Sequence, residues 1–194
     1  MIDSSLCYLY RGGDVLMMHR TRKKNDMNHD KWIAVGGRFE PGETPEQCAL
    51  REVREETGLT MLDPRYRGVV TFINDLYETE RMHLFTCEQW TGELTDCDEG
   101  ELVWLPKKEM DALPQWEGDR IFHRLLDEGI PFFELELVYS GEKLLTETFL
   151  SIGIDELSVS PRSVLPLRQK IREVNVAAIK DKVLSELLSD ETPI

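Results

Sequence analysis

The chain has 194 residues, a length suited to one domain with an appendage, and 41% apolar with 31% charged residues is the balance of a folded globular protein. Only 13 Gly and 9 Pro exclude collagen-like and low-complexity classes, and no apolar run reaches the ~18 residues of a membrane span. The net charge of −14 repels polyanions, so the chain is not expected to coat DNA or RNA. A small anionic substrate stays open to it only with local positive charge, for which a bound divalent metal is the natural source.

Residues 5–10 and 14–20 are rich in strand formers and flank Gly12-Gly13, which predicts a hairpin. Residues 21–30 are polar and read as a loop, followed by a short strand from Trp32 to Val35. A helix is predicted over 45–57, with Thr44 as N-cap, Pro45 at its first position, Gln47 completing a capping box and Gly58 as the terminating glycine. Residues 67–77 and 81–90 predict a longer hairpin, 101–105 another strand, and Asp119 to Asp127 a second helix. A last hairpin is expected from 131–139 and 143–150 about Ser140-Gly141.

After about residue 154 the texture changes. Leu165, Ile171, Val174, Ile179, Val183 and Leu187 fall at roughly helical spacing, so residues 155–194 are expected to form a helical extension of a 1–154 domain. That extension is nearly neutral, with six basic and seven acidic residues. It is assigned to docking or to a homodimer contact rather than to catalysis. Cys7, Cys48, Cys87 and Cys97 show no C-x-x-C pair, and the N-terminus shows no secretory pattern, so reduced thiols and a cytoplasmic location are expected.

The chemistry concentrates in Gly37 to Leu59. On the predicted helix, Glu52, Glu55 and Glu56 are related by i, i+3 and i+4, which gathers them in an arc of about 100°. Leu50 and Val53 point away, so one face is apolar and another carries three carboxylates. Clustered like charges cost energy unless a hard dication such as Mg²⁺ or Mn²⁺ is gathered there. Gly37, Glu43, Arg51, Glu52, Glu55, Glu56 and Gly58 at these spacings have a chance frequency on the order of 10⁻⁸ per start position.

These residues spell the Nudix box, G-x5-E-x7-R-E-U-x-E-E-x-G-U, with Val53 and Leu59 in its apolar positions, and the chain resembles the Nudix hydrolase superfamily over roughly residues 3–150. The resemblance implies an α/β fold, a mixed sheet sandwiched between helices, and hydrolysis of a nucleoside diphosphate linked to another moiety. It implies divalent metal held by the Gly37 carbonyl, Glu52, Glu55 and Glu56, with Arg51 locked onto Glu43. Glu52 is the favoured general base. A later-loop carboxylate, Glu99 or else Glu101, is its rival and a further metal ligand.

The second half is similar to MutT-like enzymes that hydrolyse oxidised purine nucleoside triphosphates. By that similarity Trp116 stacks on the base and Asp119 reads its edge. Where the mammalian type has a base-bonding Asn, this chain has Ile33. Phe72 is assigned to the pocket wall and Arg20 to a phosphate. The leading expectation is cleavage of a purine triphosphate, 8-oxo-dGTP among the candidates, to monophosphate and pyrophosphate with Mg²⁺. The alternatives are another diphosphate derivative (ADP-ribose, a nucleotide sugar, a dinucleoside polyphosphate) or a ligand-sensing regulator that binds without cleaving.

Overall fold

The computed structural model describes residues 1–22 and 26–153; the predicted extension over 155–194, and the dimer contact assigned to it, lie outside the described residues. Strand β1 (Ile2–Arg11) turns at Gly12-Gly13 into β2 (Asp14–His19), as the sequence predicts. β3 is only Trp32–Ile33, and Val35 adds one bridge to Cys7. Helix α1 is Pro45–Thr57. Both arms of its capping box form, Thr44 with Gln47, and Gly58 closes the helix at φ 76°, a left-handed conformation that disfavours other residues.

The chain continues through β4 (Thr60–Leu62), β5 (Arg65–Asn74), β6 (Glu80–Cys87), β7 (Gln89–Thr91) and β8 (Glu101–Pro106). A 3-10 helix (Lys107–Ala112), α2 (Asp119–Asp127), β9 (Phe132–Ser140) and β10 (Lys143–Gly153) complete it. The main sheet has the order β10-β9-β5-β6-β1-β2-β3, with β8 also paired to β2, and β4 and β7 form a separate ribbon. The sheet is mixed: β1 runs parallel to β6 and β5 parallel to β9, whereas β5–β6 and β9–β10 are antiparallel hairpins.

The period-two alternation of β1 explains the layering. Cys7 and Leu9 join Ala49 and Val53 of α1 on one face, while Tyr8 joins Phe122, Leu125 and Leu126 of α2 on the other. Leu16 and its neighbours Val15 and Met17 split between the same two cores. Both faces of the sheet are therefore covered by helices, the expected α/β sandwich. Among the described residues, no helix is long and apolar enough to cross a membrane.

Candidate active site

Gly36 and Gly37 leave β3 and cross β1: the Gly37 carbonyl accepts from the Ser5 amide at 2.8 Å. The Cys48 thiol also approaches that carbonyl, at 3.4 Å. The carbonyl thus already accepts from an amide and a thiol, while Gly37 lines the same cavity as Glu52 and Glu56 and has a steric use as well. A Cβ on Gly37 would stand 2.5 Å from the Glu52 carboxyl carbon, so glycine lets the loop close over the helix.

Arg51 organises the helix face. Its Nε and Nη2 donate to the two oxygens of Glu43 at 2.7 and 2.8 Å, a paired grip that ties loop to helix. Nη1 donates to Glu52 at 2.7 Å and to Glu55 at 3.2 Å. The guanidinium holds the Glu43 carboxyl down at about 2. Glu52 moves the other way, raised above the usual carboxylate range because burial outweighs Arg51. Glu55 is the exposed member, with 62% of its side chain open.

Glu56 is turned inward and accepts from the Gly36 amide at 3.0 Å. Burial first, then the charges of Glu99 and Glu52, push its carboxyl up to about 8. Glu99 stands on the loop before β8 and pairs with Arg20 at 2.7 Å, and Arg20 also pairs with Asp26 at 2.6 Å. The rival Glu101 is exposed at the start of β8, opposite His19, and lies outside the cavity lining.

Among the described residues, no three carboxylate, His or Cys side chains converge as a ready-made metal cage. Arg51 donates to both Glu52 and Glu55, and Arg20 pairs with Glu99. The donor set nevertheless fits a hard dication. Its atoms are carboxylate oxygens, and Glu56 is a desolvated acid whose neighbouring charges are mostly negative, the setting in which a cation replaces a proton.

One cavity of ≈ 990 Å³ runs from Glu52, Glu56 and Glu99 past Arg20 and Ile33 to Phe72, Trp116 and Asp119. The residues assigned to the two ends of a nucleotide therefore share one space, with Arg20 near the acids. Phe72 meets Trp116 edge-on at 5.2 Å. Trp116 is more enclosed than an open stacking face: it is 6% exposed, with the Lys31 ammonium 4.8 Å from its ring centroid. Asp119 opens α2 rather than capping it, since Gly118 is the N-cap, and burial pushes its carboxyl up to about 7. Sequence reasoning missed the Asp26–Met27–Asn28 wall and Tyr8. The loop residues carry no periodicity and read only as a polar connector.

A glycine-led loop, a capped acidic helix and the turn after it, set on a mixed sheet between helices, make up the Nudix fold and its box. The NUDIX domain model matches residues 2–126, and the chain belongs to that family, as a Nudix pyrophosphohydrolase of MutT-like type. It is 31% identical over 118 residues to the uncharacterized Nudix hydrolase YvcI of Bacillus subtilis, covering 58% of this chain and 71% of that one. It is 33% identical over 106 residues to an oxidized purine nucleoside triphosphate hydrolase of Danio rerio, covering 54% and 67%. A solved MutT protein from Bacillus halodurans superposes with a TM-score of 0.69 at 24% identity, over 77% of this chain and 98% of that chain, a likeness of fold.

Proposed function

We propose that the protein hydrolyses a purine nucleoside triphosphate, oxidised forms such as 8-oxo-dGTP included, to the monophosphate and pyrophosphate. The observation that carries this reading is the single cavity joining the box acids to Phe72, Trp116 and Asp119. The related Danio rerio hydrolase, named for oxidized purine triphosphates, agrees with it.

Mg²⁺, or Mn²⁺ in its place, would be held by Glu52, Glu55, Glu56 and Glu99, and would neutralise phosphate charge and acidify bound water. The Gly37 carbonyl, which also accepts from Ser5 and Cys48, would be the backbone member of this set. Glu52 accepts the proton of the attacking water. Its partial burial raises its proton affinity, which suits a base, while Arg51 fixes its carboxylate. Arg51 itself is a positioning residue, because its guanidinium is spent on Glu43, Glu52 and Glu55. Arg20 lies in the cavity wall where a phosphate oxygen would compete with Asp26 and Glu99 for it. Trp116 and Phe72 bound the base, Ile33 gives an apolar contact, and Asp119 bonds base N–H groups.

The test is product analysis with Mg²⁺ over dGTP, 8-oxo-dGTP, dATP, ADP-ribose and a nucleotide sugar. Monophosphate and pyrophosphate from the purine triphosphates is the expected result. Sugar phosphate from the last two, with the triphosphates untouched, refutes the assignment.

A further inference from the structure

Ile33 leaves the base end of the cavity without the amide expected of that strand position, yet the wall holds another. Asn28 lines the cavity beside Trp116, on the loop between β2 and β3. Its Oδ1 accepts from the Trp116 indole Nε1–H at 2.8 Å. An indole N–H only donates, so it fixes which end of the carboxamide faces it. The oxygen is committed, and what Asn28 has left for a ligand is its NH₂ group. Among the described residues, no hydrogen bond takes that nitrogen.

The loop is held firmly enough to make this orientation useful. The Asn28 amide donates to Asp26 Oδ1 at 3.1 Å, and Asp26 Oδ2 accepts from Arg20 at 2.6 Å. The Lys31 amide closes the turn onto the Asn28 carbonyl at 3.0 Å. Trp116, which orients the carboxamide, is itself wedged against Phe72 and Tyr139 with ring centroids 5.2 and 5.3 Å away. The Asp119 amide returns to the Trp116 carbonyl at 3.1 Å. Asn28, Trp116 and Asp119 thus line one cavity together.

We propose that Asn28 determines base specificity by donating from its NH₂ to a carbonyl on the base edge, so that the preferred substrates are 6-oxopurine nucleotides. This rests on the reading of the cavity as a purine triphosphate site. The chemistry of the two lining groups is complementary to one base edge. A guanine-type edge offers one carbonyl acceptor next to ring and exocyclic N–H donors. Asn28 supplies the donor for the first, and the Asp119 carboxylate accepts from the second. An adenine-type edge presents an amino group where the carbonyl would be, which sets donor against donor and leaves a buried group unpaired.

The test compares wild type, Asn28→Asp and Asn28→Ala on dGTP and dATP with Mg²⁺, reading kcat/KM for each base. Asn28→Asp keeps an oxygen for the indole and removes both N–H donors, so the Trp116 contact survives while the donor is lost. The wild type should favour dGTP, and Asn28→Asp should lower the dGTP:dATP ratio at least about tenfold, with the loss on dGTP. Asn28→Ala should lower the ratio as well. Trp fluorescence separates a displaced indole, expected in Asn28→Ala alone, from a lost donor. Equal losses on both bases, or an unchanged ratio in Asn28→Asp, overturn the inference while leaving triphosphate cleavage in place. A wild type that cleaves no nucleoside triphosphate overturns the function reading, and this inference with it.

Discussion

Replacing Arg51 with methionine should remove the clamp of the acidic loop while keeping most of the apolar stem. In the structure that guanidinium donates to Glu43 through two nitrogens at 2.7 and 2.8 Å, and to Glu52 at 2.7 Å. The pairs are sheltered, with 21%, 15% and 14% of the Arg51, Glu43 and Glu52 side chains exposed. Glu43 sits at about 2 instead of 4.5, chiefly through Arg51, so its ionised form is favoured by roughly 3 kcal/mol before screening. Allowing for the remaining solvent contact leaves about 2 kcal/mol for the Arg51–Glu43 coupling. At this chain length, that loss corresponds to a melting shift of roughly 4–8 °C. A depressed carboxyl contributes fully above its unfolded value and loses its contribution as pH falls from about 4.5 towards about 2. The variant should therefore lose the acid-side slope over that window. The assay is a double-mutant cycle of Arg51→Met and Glu43→Gln, by urea denaturation at pH 7 and thermal melts from pH 3 to 7. A coupling below about 0.5 kcal/mol would refute the clamp, because it would rank the pair with ordinary surface ion pairs.

Glu55→Gln changes a side chain that is 62% exposed, so melting should hold while turnover with Mg²⁺ drops by orders of magnitude, read by pyrophosphate release. Mg²⁺ should raise the melting temperature of the wild type more than that of Glu56→Gln. At a hundredfold excess over Kd the linkage is worth ~2.7 kcal/mol. An equal shift in both removes Glu56 from the ligand set. Asp119, titrating at about 7, is protonated below that pH and a hydrogen-bond acceptor above it. For dGTP, kcat/KM should climb between pH 6 and 8 in the wild type, and Asp119→Asn should flatten this climb.

What the sequence disclosed depended on how local the signal was. α1 was legible to the residue, because Thr44, Pro45, Gln47 and Gly58 each act within one turn of its ends. The hairpins were legible for the same reason, through short turn segments. Sheet order was not: β1 lies parallel to β6, pairing Ile2 with Glu80, and no local pattern encodes a partner so far along the chain. The β4–β7 ribbon was missed because each of its strands has three residues, too few for alternation to register. The acids of the box were visible through fixed spacing, which marked the end of the cavity assigned to metal. The base end was visible only in part. Trp116 and Asp119 could be picked out, but the enclosure of the indole by Lys31, Phe72, Tyr139 and Asn28 arises from three separate elements, the β2–β3 loop, β5 and β9.

The two ends of the cavity solve one electrostatic problem in different ways. Its lining carries seven acidic and three basic side chains, so a triphosphate entering the metal-free chain meets net repulsion. At the box end the protein stores acidity by interposing arginines: Arg51 between Glu52 and Glu55, Arg20 against Glu99. Arg51 stays tied to Glu43, whereas on the proposed reading a dication that drew Glu99 to itself would leave Arg20 for an anionic oxygen. At the base end Asp119 is handled by burial instead, which lifts its carboxyl to about 7 and so leaves roughly half of it protonated at pH 7. On the proposed reading the cavity is therefore polarised by desolvation as well as by charge, with Arg20 and the box acids at the end assigned to phosphates and the desolvated Asp119 at the end assigned to the base.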